Sequence, residues 1–146
     1  VEAPLSGSMI LAGVMLKLGG YGIMRYMFMC EYLFYHYSFV WYSFGIFGSI
    51  LVSLLCFSQS DMKSMVAYSS VCHMNMCLIS FLTMTSIGLL GGLLMLLSHG
   101  LCSSGLFFCC NVIYDRLLSR SFFLSSGLIS FVPGLSFFMF MFCAFN

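Results

Sequence analysis

Long apolar runs alternate with short polar joints along the chain. The runs are continuous and show no strict alternation of apolar and polar positions, which favours helices over the strands of a membrane barrel. A helix that crosses a bilayer needs about 20 residues, and each run reaches about that length. We therefore predict an all-α integral membrane protein with a single membrane segment, residues 1–146. Its five transmembrane helices are expected at about 4–28, 39–57, 64–84, 87–113 and 122–146.

The joints between the runs carry much of the polar character. Residues 31–38, EYLFYHYS, are predicted to form an aromatic-rich turn at the level of the lipid headgroups. Asp61 stands where the third run starts and is a candidate helix cap. Pro133, followed by Gly134, predicts a bend inside the fifth run.

The basic residues are divided unevenly between the two ends of the predicted helices. With five spans that alternate sides, three basic residues fall where the first span starts, and Arg25 falls on the other side. Loops on the inner side of a membrane carry an excess of lysine and arginine, so the starting side is predicted to face the cytoplasm or matrix. The three residues are Lys63, Arg116 and Arg120.

The composition excludes an ordinary soluble domain. Hydrophobic residues make up 62% of the chain and charged residues 6%, against about 25% charged residues in an average soluble domain. The net charge of +1 says nothing about nucleic acid, but the sequence has no basic patch to bind phosphate, so no nucleic-acid partner is expected. The eight cysteines show no CxxC spacing and are interpreted as small hydrophobes, so no metal site is expected.

Three runs each place one titratable residue at a similar depth. Lys17 follows Pro4 by 13 residues, so it lies about 20 Å along its helix. His73 lies about nine residues into the third run and His99 about twelve into the fourth. Ionisable residues inside a membrane are costly and mark functional sites by default. Because lysine and histidine exchange protons when burial and neighbours tune them, we interpret Lys17, His73 and His99 as a candidate proton relay.

Other interpretations of these residues stay open. A histidine in an apolar helix is often a hydrogen-bonded packing residue, and two histidines on different helices leave a bis-histidine haem possible. A lysine can extend toward the membrane surface, although that surface is too far from the middle of the first run. Lys63 is a secondary candidate, and its alternative is a solvated residue at a helix end.

Hydroxyl groups and glycines surround the candidate relay. Serine hydroxyls could hold waters between the titratable groups, and glycines allow helices to approach closely. The serines are Ser69, Ser70, Ser98, Ser103 and Ser104, and the glycines are Gly19, Gly20, Gly22, Gly100 and Gly105.

Three blocks of sequence carry a resemblance to a known family. They read VEAPLSGSMILAGVMLKLGGYGIMR, QSDMKSMVAYSSVCHMN and LSHGLCSSGLFFCCNVIYDRLLSRS, and together they cover most of the chain. In order and spacing they resemble the subunit 4 family of mitochondrial NADH–ubiquinone oxidoreductase (respiratory complex I), one of the antiporter-like subunit families. Its members have fourteen transmembrane helices with two inverted five-helix repeats, and this chain matches the eighth helix through the first half of the broken twelfth.

The resemblance implies roles for individual residues. Lys17 matches the eighth-helix lysine that passes protons between the half-channels. His73 matches the histidine of AYSSxxHM in the tenth helix, and His99 matches that of HGLxSS in the eleventh. Glu2 is a secondary site residue that matches the glutamate of a matrix-side HVEAP loop. Cys72 departs from the serine that commonly precedes the tenth-helix histidine, which weakens the match at His73.

The resemblance also implies what lies outside this chain. The family's fifth-helix glutamate and seventh-helix lysine would precede Val1, and its twelfth-helix acid would follow Asn146. Since the chain does not begin with Met and ends on an apolar run, we expect it to be part of a longer subunit. No cofactor is expected on this chain; NADH, FMN, iron–sulfur clusters and ubiquinone are expected in other subunits. The expected partners are other membrane subunits of complex I, including adjacent antiporter-like subunits, and lipids.

Two functions of different classes are predicted from these features. The first is a proton-translocating subunit of NADH:ubiquinone oxidoreductase in the mitochondrial inner membrane, which relays protons through Lys17, His73 and His99. The alternative is a structural membrane scaffold in which Lys17 forms a static ion pair with a neighbouring subunit. A subunit of a multi-subunit cation/proton antiporter shares the first mechanism and differs in its partners.

Overall fold

The computed structural model describes residues 2–146, and helices dominate this range. Four of these helices are long and apolar enough to cross a bilayer, which confirms the prediction of an all-α integral membrane protein. Two shorter helices follow them. The six helices are α1 (Leu5–Met29), α2 (Glu31–Phe57), α3 (Met62–Leu82), α4 (Ser86–Leu117), α5 (Leu128–Phe131) and α6 (Pro133–Ala144).

Local sequence accounts for where the helices begin. Pro4, whose ring prevents it from donating a backbone hydrogen bond, precedes α1 and accepts from the N–H of Ser8 at 3.0 Å. The hydroxyl of Thr85 caps α4 by accepting from the N–H of Gly88 at 3.0 Å. Asp61 occupies the cap position of α3, as predicted, but its carboxylate makes no capping hydrogen bond to the described residues.

Residues 31–38 are helical, so the prediction of an aromatic turn was wrong. Only Cys30 interrupts the helices on either side, and α2 starts eight residues earlier than expected. Glu31 lies in the first turn of α2, where a negative charge is favourable beside the helix dipole. Aromatic residues suit the headgroup region in a helix as well as in a turn, and for this reason composition did not distinguish the two.

The fifth predicted transmembrane helix, residues 122–146, is not one continuous helix in the structure. Its first part, residues 122–127, forms turns, and the helices α5 and α6 have 4 and 12 residues. They meet at Val132, directly before Pro133, which lies in the first turn of α6. A proline cannot donate a backbone hydrogen bond and restricts the residue before it, and this explains the break at the bend that the sequence predicts.

Helix α4 lies at the centre of the bundle. It packs against α1, α3 and α6, while α2 packs along the other side of α3. One core cluster lies where α1 and α3 begin, around Val66 and Leu106, and a second lies toward the other end, around Phe81 and Leu96. Large apolar side chains such as Phe57, 89% exposed, cover the outside. Such a surface is suited to lipid.

Three helix ends meet on one side of the bundle. The Nζ atom of Lys63, in the first turn of α3, donates to the carbonyl of Ala3 at 2.6 Å. The joint before α3 pairs with the segment after α4 through a bridge between Asp61 and Ser121. The N–H of Met62 donates to the carbonyl of Arg120 at 3.0 Å as part of this pairing. Lys63 and Arg120 therefore lie at the end where α1 begins, as the alternation of spans predicts.

Candidate functional site

A widened turn of α1 precedes Lys17. Residues Leu11–Met15 form a π-helical segment in which the N–H of Leu16 donates to the carbonyl of Leu11, five residues earlier. Such segments are rare within α-helices and frequently occur at functional sites. Here the segment changes the position of the helix backbone directly before the intramembrane lysine.

The Lys17 ammonium has two partners. Its Nζ atom donates to the carbonyl of Ala12 in the π-helical segment and lies 2.9 Å from Nδ1 of His99 on α4. An ammonium group can only donate hydrogen bonds, so next to a charged Lys17 the Nδ1 atom of His99 is an acceptor. The proton of the neutral imidazole is then on Nε2. The two residues thus form a direct hydrogen bond between two helices.

Glycines permit this contact. A Cβ atom on Gly100 would lie 3.1 Å from Cε of Lys17 and 3.3 Å from the carbonyl oxygen of Gly13. One turn along α1, a Cβ atom on Gly20 would lie 2.9 Å from Cδ2 of Leu96. A Cβ atom on Gly100 would require Lys17 or the backbone at Gly13 to shift by a few tenths of an ångström, and a Cβ atom on Gly20 would require the Leu96 side chain to move. Of the five glycines predicted to allow close helix approach, Gly20, Gly100 and Gly105 lie at such contacts, whereas a Cβ atom on Gly19 or Gly22 would meet no atom within 4 Å among the described residues.

His73 completes the group from a third helix. Its ring lies on α3 with its centroid 5.4 Å from that of His99, at an interplanar angle of 39°. His99 is 1% exposed, whereas His73 and Lys17 are half-buried. The structure thus brings together the three residues of the predicted relay, Lys17, His99 and His73, from α1, α4 and α3.

The two secondary candidates lie elsewhere. Glu2 is exposed in the segment before α1. Lys63 joins the beginnings of α1 and α3 through its bond to Ala3, and it lines a small cavity near Tyr114 and Arg120. Neither is brought to Lys17. Their place at the helix ends suits contact with the aqueous side, and a part in proton transfer stays a prediction.

The acids of the chain all lie outside the middle of the helices. Glu2 and Asp61 precede α1 and α3, Glu31 is the first residue of α2, and Asp115 lies in the last turn of α4. Lys17 is in the middle of α1, and its hydrogen-bond partners among the described residues are the imidazole of His99 on α4 and the carbonyl of Ala12, with no carboxylate. A carboxylate partner at this depth would have to come from outside residues 2–146.

One of the predicted serines differs from the others. Ser69, Ser70, Ser98 and Ser104 each donate to a carbonyl three residues earlier in their own helix. Ser103 is 1% exposed, and its Oγ atom has no hydrogen-bond partner among the described residues. The Nε2 atom of His99, four residues earlier, is also buried and has no hydrogen-bond partner within residues 2–146. Sequence reasoning grouped the five serines together and could not separate them.

The arrangement does not fit a metal or a haem. Within residues 2–146, no three side chains of His, Cys, Asp or Glu are grouped so that they could hold a metal ion. The rings of His73 and His99 are in direct contact, and a haem between two axial histidines needs space for the porphyrin plane between the rings.

Sequence comparisons point to one family. All residues, 1–146, match the family described as NADH:quinone oxidoreductase/Mrp antiporter, TM. The chain is 48% identical over 146 residues to NADH-ubiquinone oxidoreductase chain 4 of Aedes aegypti, covering 100% of this chain and 33% of that protein. It is 49% identical to the chain 4 protein of Apis mellifera ligustica with the same coverage. For Danio rerio the identity is 44% over 133 residues, covering 91% and 29%. The chain thus spans about a third of the length of these relatives.

Proposed function

Because the chain belongs to the NADH:quinone oxidoreductase/Mrp antiporter transmembrane family, we propose that it forms part of a proton-translocating, antiporter-like subunit of NADH–ubiquinone oxidoreductase. In this proposal Lys17, His99 and His73 carry protons in the plane of the membrane. The relatives that bear the name NADH-ubiquinone oxidoreductase chain 4 support this assignment over that of a cation/proton antiporter.

The observation that carries the proposal is the 2.9 Å contact between Nζ of Lys17 and Nδ1 of His99. A proton can cross this bond without any other atom moving far: the N–H bond of the ammonium breaks and an N–H bond forms at Nδ1. Lys17 becomes neutral and His99 becomes cationic until it releases the proton on Nε2. His73, whose ring contacts that of His99, is the next titratable group in the row.

Electrostatic interaction would couple this proton transfer to a change of charge in another part of the complex. A charged lysine inside a membrane costs about 2.5–3.5 kcal/mol on insertion scales, so a nearby change of charge readily alters its protonation. The proposed source of that change is another part of the complex, in whose subunits we expect NADH, FMN, iron–sulfur clusters and ubiquinone to bind. The residues of this chain then only receive, hold and release protons.

The proposed setting is the mitochondrial inner membrane, in contact with other membrane subunits of complex I and with lipids. The apolar surface supports such contacts. Phe44, Leu94 and Leu101 on α2 and α4 are 72%, 68% and 76% exposed. Side chains of this kind are favourable against lipid or a neighbouring helix and unfavourable in water.

A substitution of Lys17 in the intact complex tests the proposal. We expect Lys17→Ala to lower proton pumping and coupled quinone reduction severely. Lys17→Arg is expected to fail as well, because a guanidinium does not release its proton. Leu18→Ala, which shortens an exposed side chain beside Lys17, is the matched control. Normal assembly with near-normal pumping in Lys17→Ala would contradict the proposal and favour a structural membrane scaffold instead.

A further inference from the structure

We propose that the geometry of the π-helical segment Leu11–Met15 is linked to the charge of Lys17. The segment leaves the carbonyl of Ala12 free to bind the ammonium, and the charged form of Lys17 in turn stabilises the segment. The consequence for proton transfer rests on the proposed function. The link itself rests only on the hydrogen bonds of α1.

The widened turn displaces one backbone hydrogen bond of α1. In an α-helix each N–H donates to the carbonyl four residues earlier, so the N–H of Leu16 would bond Ala12. Here it bonds the carbonyl of Leu11, five residues earlier. The carbonyl of Ala12 therefore loses its α-helical donor. Ala12 is 3% exposed, and a buried carbonyl in a native protein is nearly always hydrogen-bonded, so it needs another donor.

Lys17 supplies the missing donor. Its Nζ atom donates to the carbonyl of Ala12, five residues earlier in the same helix. In a regular α-helix the carbonyls of the preceding turn already accept from backbone N–H groups. The π-helical segment thus gives Lys17 a partner from its own helix in addition to Nδ1 of His99, 2.9 Å away. Together the two acceptors fix the position of the ammonium.

The charge of Lys17 and the widened turn stabilise each other. A hydrogen bond from a charged donor is about twice as strong as one from a neutral donor, so the ammonium holds the Ala12 carbonyl more strongly than the neutral amine does. When Lys17 transfers its proton to His99, this bond weakens, and the N–H of Leu16 can return to Ala12. By linkage, a segment that has returned to the α-helical bond disfavours the ammonium to the same extent.

Few titratable groups face Lys17 among the described residues. His99 on α4 contacts it directly, and His73 on α3 contacts the ring of His99. Cys77, also on α3, lies close enough to interact electrostatically with the ammonium. None of these groups is a carboxylate, so within residues 2–146 no ion pair fixes the charge of Lys17. The Ala12 carbonyl is therefore one of the contacts that decide it.

The change at Lys17 reaches the contact between α1 and α4. A π-helical turn holds more residues than a turn of α-helix, in which each residue turns the chain by about 100°. Return of the Leu16 bond to Ala12 therefore rotates one part of α1 against the other. The carbonyl of Gly13 belongs to this segment and lies against Gly100 of α4. Loss of the charge on Lys17 thus alters the packing of the two helices.

The first test compares the helix geometry in maps of the native complex and of the assembled Lys17→Met and Lys17→Arg variants. Methionine fills similar space without a donor, whereas arginine keeps both donors and charge. We expect Leu11–Met15 to be α-helical in Lys17→Met, with the N–H of Leu16 bonded to Ala12, and π-helical in Lys17→Arg and the native complex. The same geometry in both variants, or an α-helical segment in the native complex, would overturn the inference.

Deletion of Val14 gives a second measurement, with Lys17 left in place. Val14 is 54% exposed, and its loss removes the extra residue of the widened turn while both parts of α1 keep their register. The Ala12 carbonyl then bonds a backbone N–H. We expect proton pumping per assembled complex to fall about tenfold or more, the effect of one hydrogen bond to a charged group. Normal pumping with this deletion would also overturn the inference.

The maps separate this inference from the proposed function, because they record helix geometry and do not depend on pumping. If Lys17→Met abolishes pumping and its segment stays π-helical, the proposed function stands and the link fails. If Lys17→Met pumps normally, the proposed function fails, and an α-helical segment in that variant would still support the link.

Discussion

The Nζ atom of Lys17 on α1 lies 2.9 Å from Nδ1 of His99 on α4, although the two residues are 82 positions apart in the sequence. This bond explains how an apolar helix accommodates a lysine in its middle. The ammonium is satisfied by an imidazole and by the carbonyl of Ala12, and neither partner is charged. Within residues 2–146, Lys17 is thus held by two hydrogen-bond acceptors and by no carboxylate.

The two histidines should differ in importance. His99 is buried and bonds Lys17 directly, whereas His73 is half-buried and only contacts the ring of His99. Positioned proton-transfer groups contribute about 10²–10⁴-fold to a rate, so His99→Ala is expected to lower coupled turnover by at least about tenfold. His73→Ala should have a smaller effect. Proton pumping and quinone reduction per assembled complex measure both, and a larger loss in His73→Ala would contradict the order of the relay.

A side chain at Gly100 should disturb the contact between α1 and α4. Alanine at this position would place a Cβ atom 3.1 Å from Cε of Lys17 and 3.3 Å from the Gly13 oxygen, so α1 or Lys17 must move. Because small displacements of reacting groups cost large factors in rate, we expect Gly100→Ala to lower coupled turnover by roughly tenfold or more.

Gly91 offers a matched control for that substitution. It lies on the same helix, and a Cβ atom there meets no atom within 4 Å. Gly91→Ala should keep normal turnover and assembly. Similar activities for Gly100→Ala and Gly91→Ala would show that the close contact of α1 and α4 is not needed for function.

Lys63 should hold the beginning of α1 in place. Its Nζ atom bonds the carbonyl of Ala3 at 2.6 Å, and hydrogen bonds to charged groups contribute about 1.5–3 kcal/mol. Lys63→Met is therefore expected to speed backbone hydrogen exchange in the first turn of α1 by roughly tenfold, with Lys63→Arg closer to native. Unchanged exchange combined with lost pumping would instead assign Lys63 to proton transfer.

The sequence predicted the main helices well because apolar length decides them. Helix α1 lies within one residue of the predicted run at both ends, and α3 within two. The depth of Lys17, His73 and His99 followed from the rise of a helix alone. These properties depend on local composition and on the thickness of the membrane, and both can be evaluated without tertiary structure.

Other features depend on packing and could not be predicted. The π-helical segment Leu11–Met15 has no composition that separates it from the rest of α1. The bond between Lys17 and His99 depends on how α1 turns about its axis against α4. The hydroxyl group of Ser104 donates to Leu101, whereas that of the more deeply buried Ser103 has no partner among the described residues, and nothing in the local sequence separates the two serines.

The central claim is that Lys17 and His99 act as one proton-transferring unit, and a double-mutant cycle tests it most directly. The protons pumped per electron and the coupled turnover are measured in the intact complex for Lys17→Ala, His99→Ala and the double variant. Groups that act as a unit are strongly non-additive, so the double variant should be no worse than the more impaired single variant. Losses that multiply in the double variant would show that the two residues act independently and would contradict the claim.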